Sequence, residues 1–146
     1  MTHPLKIAFQ TDVDKVRFLT RSNQFKATNV GPFVEDEFEN ADGVDVALSS
    51  AWAFNASEKV IVPSGAAAAT VVSQSVRFVA NITTSVTGIW VAEGEVQVFF
   101  SKDDGATWIQ LVNEQPVASS GPSGKTVRLK ALLDPESILK GWSAHW

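Results

Sequence analysis

The sequence contains no cysteine and no tyrosine, and it has only two histidines, His3 and His145. Without cysteine the chain can form neither a disulfide framework nor a thiolate metal site. The two histidines lie near opposite ends of the 146 residues, which argues against a histidine-based zinc site. We therefore predict that the protein holds no metal and no cofactor.

The sequence also has little basic charge and no long apolar run. Its 12 Lys and Arg residues are outnumbered by 16 Asp and Glu, which gives a net charge of -4, whereas a nucleic-acid partner calls for a basic patch. The first residues lack the basic and then apolar pattern of a secretory signal, and no stretch is long enough to span a bilayer. The sequence thus predicts no nucleic-acid partner, no membrane association and no export by the general route.

The usual signatures of catalysis are missing as well. There is no Gly-x-Ser-x-Gly nucleophile elbow and no phosphate-binding loop. Two of the 16 carboxylates could in principle hydrolyse a glycosidic bond, but nothing in the sequence singles out a pair. We predict that the chain is not an enzyme.

Alternation of apolar and polar residues with a period of two runs through most of the chain. It is clearest in residues 6–10, 44–49, 76–83 and 126–131. Such alternation is typical of strands with one buried face, and turn signals containing Gly, Pro or Asp separate the segments at short intervals. The pattern predicts a single all-β domain over residues 1–146, folded as an antiparallel β-sandwich or barrel of about ten short strands.

One segment near the end has the signals of a helix. Asp134–Gly141 combines an acidic N-cap, a proline in the first turn and a glycine at the end. We predict a short helical turn near 134–140, followed by a final strand over 141–146. Tryptophans at alternating positions of that strand, Trp142 and Trp146, either pin it into the sheet or form an aromatic platform for sugar rings.

An acidic segment interrupts the alternation in the first third of the chain. Six acidic residues crowd into residues 35–45, and we interpret the segment as a solvated loop or as a docking arm for a basic surface. A calcium site is a further alternative, although the spacing does not match a calcium-binding loop. We therefore regard residues 1–60 as a candidate assembly arm. Its candidate interface residues are Phe33, Glu35, Asp36, Glu37, Phe38 and Glu39.

A second segment, residues 65–72, is small, apolar and uncharged. It is interpreted either as a flat strand or as part of an interface. A strand of this composition at the edge of a sheet favours pairing with another chain.

Residues 101–108 read Ser-Lys-Asp-Asp-Gly-Ala-Thr-Trp and fit the pattern S-x-D-x-G-x-x-W. Gly105 can adopt the positive φ of a tight turn, and the Asp103 carboxylate is placed to accept hydrogen bonds from backbone N–H groups two residues on. Ser101 can add a hydroxyl bond, and the Trp108 ring can cover the turn. We interpret these four residues as structural. An alternative, in which the two adjacent aspartates act as acid and base, conflicts with the divergent directions of neighbouring side chains.

This motif resembles the Asp-box β-hairpin of sialidases and other propellers, where it holds a turn and the catalytic residues come from elsewhere. A propeller would repeat the box about every 40–50 residues, and this sequence contains one copy. Together with the segments 94–100, 124–131 and 138–143, the motif makes residues 88–146 similar to β-sandwich modules in structural proteins of tailed-bacteriophage virions.

The resemblance implies a non-enzymatic particle component, such as a capsid decoration, collar or tail accessory protein, that assembles in the host cytoplasm and resides in the virion. Its implied partners are the major capsid or tail protein and further copies of the chain in a homo-oligomer. A carbohydrate-binding or receptor-binding module is the alternative. Its candidate glycan contacts are Trp52, Trp90 and Trp146.

Overall fold

The computed structural model describes residues 6–7 and 32–146, and these residues form an all-β structure, as predicted. In this part of the chain the only helical element is one turn of 3-10 helix at Val46–Leu48, so no helix there could cross a membrane. The strands of the described residues are β1 (Lys6–Ile7), β2 (Phe33–Asp36), β3 (Trp52–Asn55), β4 (Val60–Pro63), β5 (Ala69–Val72), β6 (Val76–Arg77), β7 (Val86–Glu93), β8 (Val96–Ser101), β9 (Ile109–Gln110), β10 (Pro116–Val117), β11 (Thr126–Leu133) and β12 (Ile138–His145).

The first sheet has seven described strands and is built around β12. One edge of β12 pairs with β7 along its length, with a bulge between Leu139 and Gly141. The other edge is shared, because β2 pairs with residues 142–145 and β4 meets Leu139. Beyond these neighbours, β10 pairs with β7, β1 with β2, and β3 with β4.

The second sheet has five described strands and is built around β11. One edge of β11 pairs with β8, which in turn pairs with β9. Along the other edge, β6 pairs with residues 126–127 and β5 with residues 130–133. Each sheet therefore has an eight-residue strand at its centre, and the two central strands follow one another in the chain.

Two crossings join the sheets side by side. The chain passes from β7 to β8 through residues 94–95 and from β11 to β12 through residues 134–137. The Ser137 hydroxyl links the crossings, because it accepts a hydrogen bond from the Glu95 N–H and donates one to the Glu95 carbonyl, both at 3.0 Å. Gly94 has a φ of 83°, and a Cβ there would lie 2.6 Å from Ser137 Oγ. The crossings therefore require a glycine at this position and close one end of the sandwich.

A single hydrophobic core fills the space between the sheets. The predicted alternation in 126–131 is confirmed, because Val127, Leu129 and Ala131 are buried and the residues between them are partly exposed. The bulge in β12 shifts the alternation of its side chains between the two faces of the sheet, so that Leu139 and Trp142 both belong to the core. Contributions from both sheets to one core identify the fold as a β-sandwich, which the sequence predicted as one of two architectures.

The predicted helical turn near 134–140 was wrong. Asp134 and Ser137 close a single tight turn through a 3.0 Å hydrogen bond, and Glu136 within it has a φ of 70°. A proline at the second place of a tight turn and a proline in the first turn of a helix need the same φ, near -65°. The sequence signal therefore fits both structures. Strand pairing decides between them, because the chain from Ile138 onward belongs to β12.

The prediction of an exposed acidic loop or arm is correct only in part: residues 37–45 lie outside the strands, whereas the residues before them are buried in the first sheet. Residues Phe33–Asp36 form β2, which pairs with β12 on one edge and with β1 on the other. Within the candidate interface, only Glu39 is exposed; Glu37 is half-buried. The candidate arm thus belongs to the sandwich wherever it is described, while residues 1–5 and 8–31 lie outside the described residues.

Local contacts explain why the segment folds inward. The Asp36 carboxylate accepts a hydrogen bond of 2.8 Å from the Phe38 N–H, which turns the chain directly after β2. Phe38 has a φ of 56° and is completely buried, with its ring centroid 6.1 Å from that of Trp142. Glu35 is completely buried as well. Aromatic packing and strand pairing outweigh the preference of the acidic residues for solvent.

The uncharged segment 65–72 divides into two parts. Residues 65–68 are exposed, whereas Ala69–Val72 forms β5 and pairs with β11. Bridges from Ser50 to Thr70 and from Val44 to Ser73 cover the other edge of β5. The strand interpretation is therefore confirmed for residues 69–72, and their edge is not open.

Candidate functional site

Residues 101–108 form a closed turn between β8 and β9. The Ser101 hydroxyl donates a hydrogen bond to Asp103 Oδ1 and accepts one from the Gly105 N–H, both at 2.8 Å. The Asp103 carboxylate accepts bonds from the Thr107 N–H at 2.9 Å and from the Thr107 hydroxyl at 2.7 Å. Asp103 therefore reaches four residues on, and Ser101 supplies the acceptor for Gly105 that the sequence analysis assigned to Asp103.

The backbone of the turn explains the Asp-Gly pair. Asp104 has a φ of 62° and Gly105 a φ of 90°, and two successive residues with positive φ are characteristic of a type I′ turn. A hydrogen bond of 3.3 Å from the Ala106 N–H to the Asp103 carbonyl closes it. A Cβ on Gly105 would lie 3.4 Å from the Trp108 ring. The ring therefore lies against the turn.

The hydrogen bonds also affect the charge of Asp103. Partial burial acts to raise the pKa of Asp103, but hydrogen bonds from the Thr107 hydroxyl, the Thr107 backbone and the Ser101 hydroxyl outweigh it and hold the pKa below its ordinary value. A carboxylate stabilised in its ionised form is unsuited to act as a general acid near neutral pH. The adjacent Asp104 binds a different partner, so the two aspartates do not form an acid and base pair.

Arg128 connects the turn to two distant segments. Its Nε donates to Asp104 Oδ1 at 2.7 Å, and its Nη1 donates to Asp45 Oδ2 at 2.9 Å and to the Ser73 carbonyl at 2.8 Å. Burial acts to lower the pKa of Arg128, but the bonds to Asp104 and Asp45 outweigh it and raise the pKa above its ordinary value. No local pattern in the sequence indicates the role of Arg128, because its acidic partners lie 24 and 83 residues away in the chain.

Lys102 is a buried cation that the sequence analysis also missed. Its ammonium donates to the carbonyls of Ile82 and Ser119, at 3.3 and 3.2 Å, and to the Ser119 hydroxyl at 2.9 Å. Its own carbonyl accepts a hydrogen bond from the Thr126 N–H at 3.1 Å and would overlap a Cβ on Gly124. These bonds compensate for the loss of hydration on burial. Lys102 thereby holds two loops against the turn.

Lys130 lies on the same sheet, next to two aromatic rings. Its Nζ is 4.5 Å from the centroid of the Trp108 ring and 4.9 Å from that of Phe99. Phe99 is also opposite Lys130 in the pairing of β11 with β8. A cation over an aromatic face contributes about 0.5–1 kcal/mol at an exposed site. Trp108 thus contacts both Gly105 and Lys130, and both contacts lie within the chain.

The three tryptophans named as candidate glycan contacts do not lie together. Trp52 is in β3 and Trp90 in β7, and β4 and β12 separate these strands in the sheet. Trp146 follows β12, and its ring centroid lies 4.8 Å from that of Phe78 and 5.6 Å from that of Phe100. All three tryptophans are partly buried against the core. The final strand is therefore pinned into the sandwich, and these three rings form no shared platform.

Two further observations bear on ligands and relatives. Within residues 6–7 and 32–146, no group of three or more His, Cys, Asp or Glu side chains is arranged to hold a metal ion. Comparison with protein-family models, curated protein sequences and solved structures finds no match to this chain.

Proposed function

We propose that this chain is a non-enzymatic structural component of a tailed-bacteriophage virion, such as a capsid decoration, collar or tail accessory protein. The observation that carries the proposal is the use of polar side chains around the 101–108 turn. Ser101, Asp103, Lys102 and Arg128 bind backbone groups or one another. A catalytic site instead directs such groups at a substrate. Holding a turn is also the role of the motif in the proteins that it resembles.

The position of the resembling segments in the fold supports the same proposal. They fall on β8, β11 and β12, which include the central strand of each sheet. The crossings at residues 94–95 and 134–137 and the 101–108 turn fix these strands. A sandwich held in this way presents a largely preformed surface. Association through preformed surfaces needs little rearrangement on binding, which suits a particle component.

The proposed partners are the major capsid or tail protein and further copies of the chain. Burial of Phe33–Asp36 and Phe38 weighs against residues 33–38 as the docking surface. We therefore propose that contact with a shell uses surface elsewhere. Large apolar side chains that the described residues expose are Val46, Leu48, Val79 and Val112.

Particle incorporation tests the proposal directly. Particles are purified by density gradient from lysates of the bacterium in which the gene is expressed during phage growth, and their proteins are quantified by mass spectrometry. We expect the chain in the particle fraction at a constant copy number relative to the major capsid protein. An abundant host protein of similar size controls for carry-over. A chain that stays in the supernatant while the capsid protein sediments would contradict the proposal.

Glycan or receptor binding is tested separately. Partial burial of Trp52, Trp90 and Trp146 against the core weighs against a stacking platform, so a glycan array probed with the purified chain is expected to be blank. Binding that disappears when one of these tryptophans is replaced, with the fold retained, would favour the alternative.

A further inference from the structure

Strand β3 has one edge that no described residue covers. Its other edge pairs with β4, where Trp52 is opposite Pro63, which has no N–H to contribute to the ladder. The Ser64 N–H donates to the Ala51 carbonyl at 2.8 Å. Because hydrogen-bonded positions alternate along an antiparallel pair, Ala53 shares the phase of Ala51 and directs its backbone groups towards β4.

The same alternation directs the N–H and C=O groups of Trp52 and Phe54 away from β4. These two donors and two acceptors bond no residue in the described part of the chain. All four residues of β3 are partly exposed. A row of unpaired backbone groups at a sheet edge is a template for another strand.

The edge of β7 in the same sheet is protected in a way that β3 is not. The Asn113 amide accepts a hydrogen bond from the Trp90 N–H at 3.0 Å and donates one to the Trp90 carbonyl at 2.9 Å, which occupies the place of a neighbouring strand. The Glu114 N–H binds the Gly88 carbonyl at 2.7 Å. Strand β3 contains no charge, no proline and no bulge, although these are the usual protections of an edge.

The side of the sandwich around β3 is also nearly uncharged. Residues 46–76 contain only two charged residues, Glu58 and Lys59. Val46 and Leu48, on the 3-10 turn before β3, are 69% and 51% exposed. Since the whole chain carries a net charge of -4, this side is where two copies can approach with least repulsion.

We propose that two copies of this chain form a symmetric dimer in which their β3 strands pair antiparallel across a twofold axis and join the two first sheets. Trp52 of each copy exchanges two hydrogen bonds with Phe54 of the other copy, and Ala53 meets Ala53 on the axis. We choose a second copy of the chain as the partner because the outer edge of β3 is self-complementary. In this register every backbone donor of one copy meets an acceptor of the other, as an isologous interface requires.

The side chains fit the same register. The Trp52 and Phe54 rings both pack against the core and therefore lie on the same face of the sheet. Across the axis, Trp52 of one copy becomes the direct neighbour of Phe54 of the other, and such aromatic pairs stabilise sheets. The small Ala53 lies where the Cα atoms approach to about 4.5 Å. This proposal is independent of the virion role, since the dimer forms in solution without a particle.

The absence of cysteine allows a test with single-cysteine variants. In the proposed register, cysteines at position 53 face each other with Cα atoms about 4.5 Å apart, which suits a disulfide. Ala53→Cys is therefore expected to form a disulfide-linked dimer under mild oxidation, detected on a non-reducing gel. Val62→Cys is the matched control on the neighbouring strand. Its cysteines would be three strand spacings apart, about 14 Å, and should remain unlinked.

Solution mass provides an independent measurement. Light scattering of the unmodified chain at tens of micromolar should give twice the monomer mass. Ala53→Lys places two like charges opposite each other on the axis and is expected to shift the protein to monomer. Val112→Lys adds the same charge at an exposed residue between β9 and β10 and should leave the dimer intact.

Three results would overturn the proposal. They are a monomeric mass for the unmodified chain at every concentration, equal cross-linking of the position 53 and position 62 cysteines, and loss of the dimer on Val112→Lys as readily as on Ala53→Lys. Circular dichroism of Ala53→Lys shows whether it is folded. Cross-linking through Ala53→Cys decides the question even if the lysine variant unfolds.

Discussion

Two margins of the sandwich differ in how many charged side chains they contain and in what those side chains bind. Around the 101–108 turn, Lys102 and Arg128 use their charges to hold loops from distant parts of the chain, and the Asp103 carboxylate closes the turn itself. On the β3 side, formed by residues 46–76, charge is almost absent and no described residue pairs with the outer edge of β3. Polar side chains are thus concentrated where several chain segments must be fixed, and the margin without them remains available for contact.

The largest difference in stability between the two margins is expected when a glycine at each of them is replaced by alanine. Gly124→Ala would drive its Cβ into the Lys102 carbonyl, and the backbone must move to accommodate it. We expect a loss of about 3 kcal/mol in the free energy of unfolding, measured by urea denaturation. Gly65→Ala, with nothing within 4 Å of the new Cβ, should change it by less than about 0.5 kcal/mol. Equal losses would remove the distinction between the two margins.

The next effect concerns two side chains that accept several hydrogen bonds. Asp103→Ala should lower the free energy of unfolding by about 1–3 kcal/mol, because it leaves the Thr107 and Ser101 donors without their acceptor. Asn55→Ala on the β3 side removes three bonds from Ser57 and Glu58. Its cost should be smaller, since hydrogen bonds to a charged acceptor are roughly twice as strong as neutral ones. A larger cost for Asn55→Ala would contradict this account.

The contribution of Asp103 should also depend on pH. Its pKa in the folded state is lower than its ordinary value, so its stabilising effect is fully present above the unfolded pKa of about 3.9 and is lost as the pH falls through the folded value. The difference in unfolding free energy between the wild type and Asp103→Asn should therefore be constant above about pH 5 and should shrink in more acidic solution. A difference that does not change on acidification would show that the carboxylate charge contributes nothing.

Arg128→Lys is expected to have an effect of intermediate size on stability. Lysine keeps the charge but cannot bind Asp104, Asp45 and the Ser73 carbonyl with one planar group. We expect a loss of about 1 kcal/mol in unfolding free energy. Asp104→Asn should cost less, because the Asp104 side chain is 56% exposed and water can replace the lost bond. If Asp104→Asn cost more than Arg128→Lys, the stabilisation would come mainly from the exposed ion pair between Arg128 and Asp104.

The smallest effect is expected on the β3 side. Replacing both Val46 and Leu48 by serine should change the unfolding free energy by less than about 0.5 kcal/mol, because both side chains are mostly exposed. Thermal and urea denaturation of the double variant measure it. A loss as large as that of Arg128→Lys would show that the 3-10 turn contributes to the core.

Strand alternation predicted the fold class, but it failed for two segments. Residues 44–49 alternate as a strand would, yet Val46–Leu48 form a 3-10 turn with Val46 and Leu48 exposed. The other failure is β2, and its cause is burial. The segment 126–131 was assigned correctly because one face of β11 meets the core and the other does not. In β2, all four residues are buried, Glu35 among them. A strand inside a sheet with both faces covered shows no alternation, so its acidic residues were interpreted as exposed. Burial of this kind depends on partners elsewhere in the chain.

The local part of the site was also accessible from the sequence, and the distant part was not. A spacing of two to four residues places Ser101 and Asp103 in one turn, whatever surrounds it. Arg128 and Lys102 belong to the same site only because β11 and the loops at 82 and 119 are brought next to the turn. No pattern within either segment indicates these pairings.

The central place of β12 has a consequence for how the protein is made. Its partners β2, β4 and β7 all precede it in the chain, and although each can pair with another neighbour, β1, β3 or β10, the edge that faces β12 stays unpaired until the ribosome has translated residues 138–145. Pairing over such long sequence separations is slow, and the waiting strands keep unpaired edges during synthesis. A nascent chain stalled before residue 138 is therefore expected to need protection by chaperones, because the strand that completes its first sheet is translated after all of its partners.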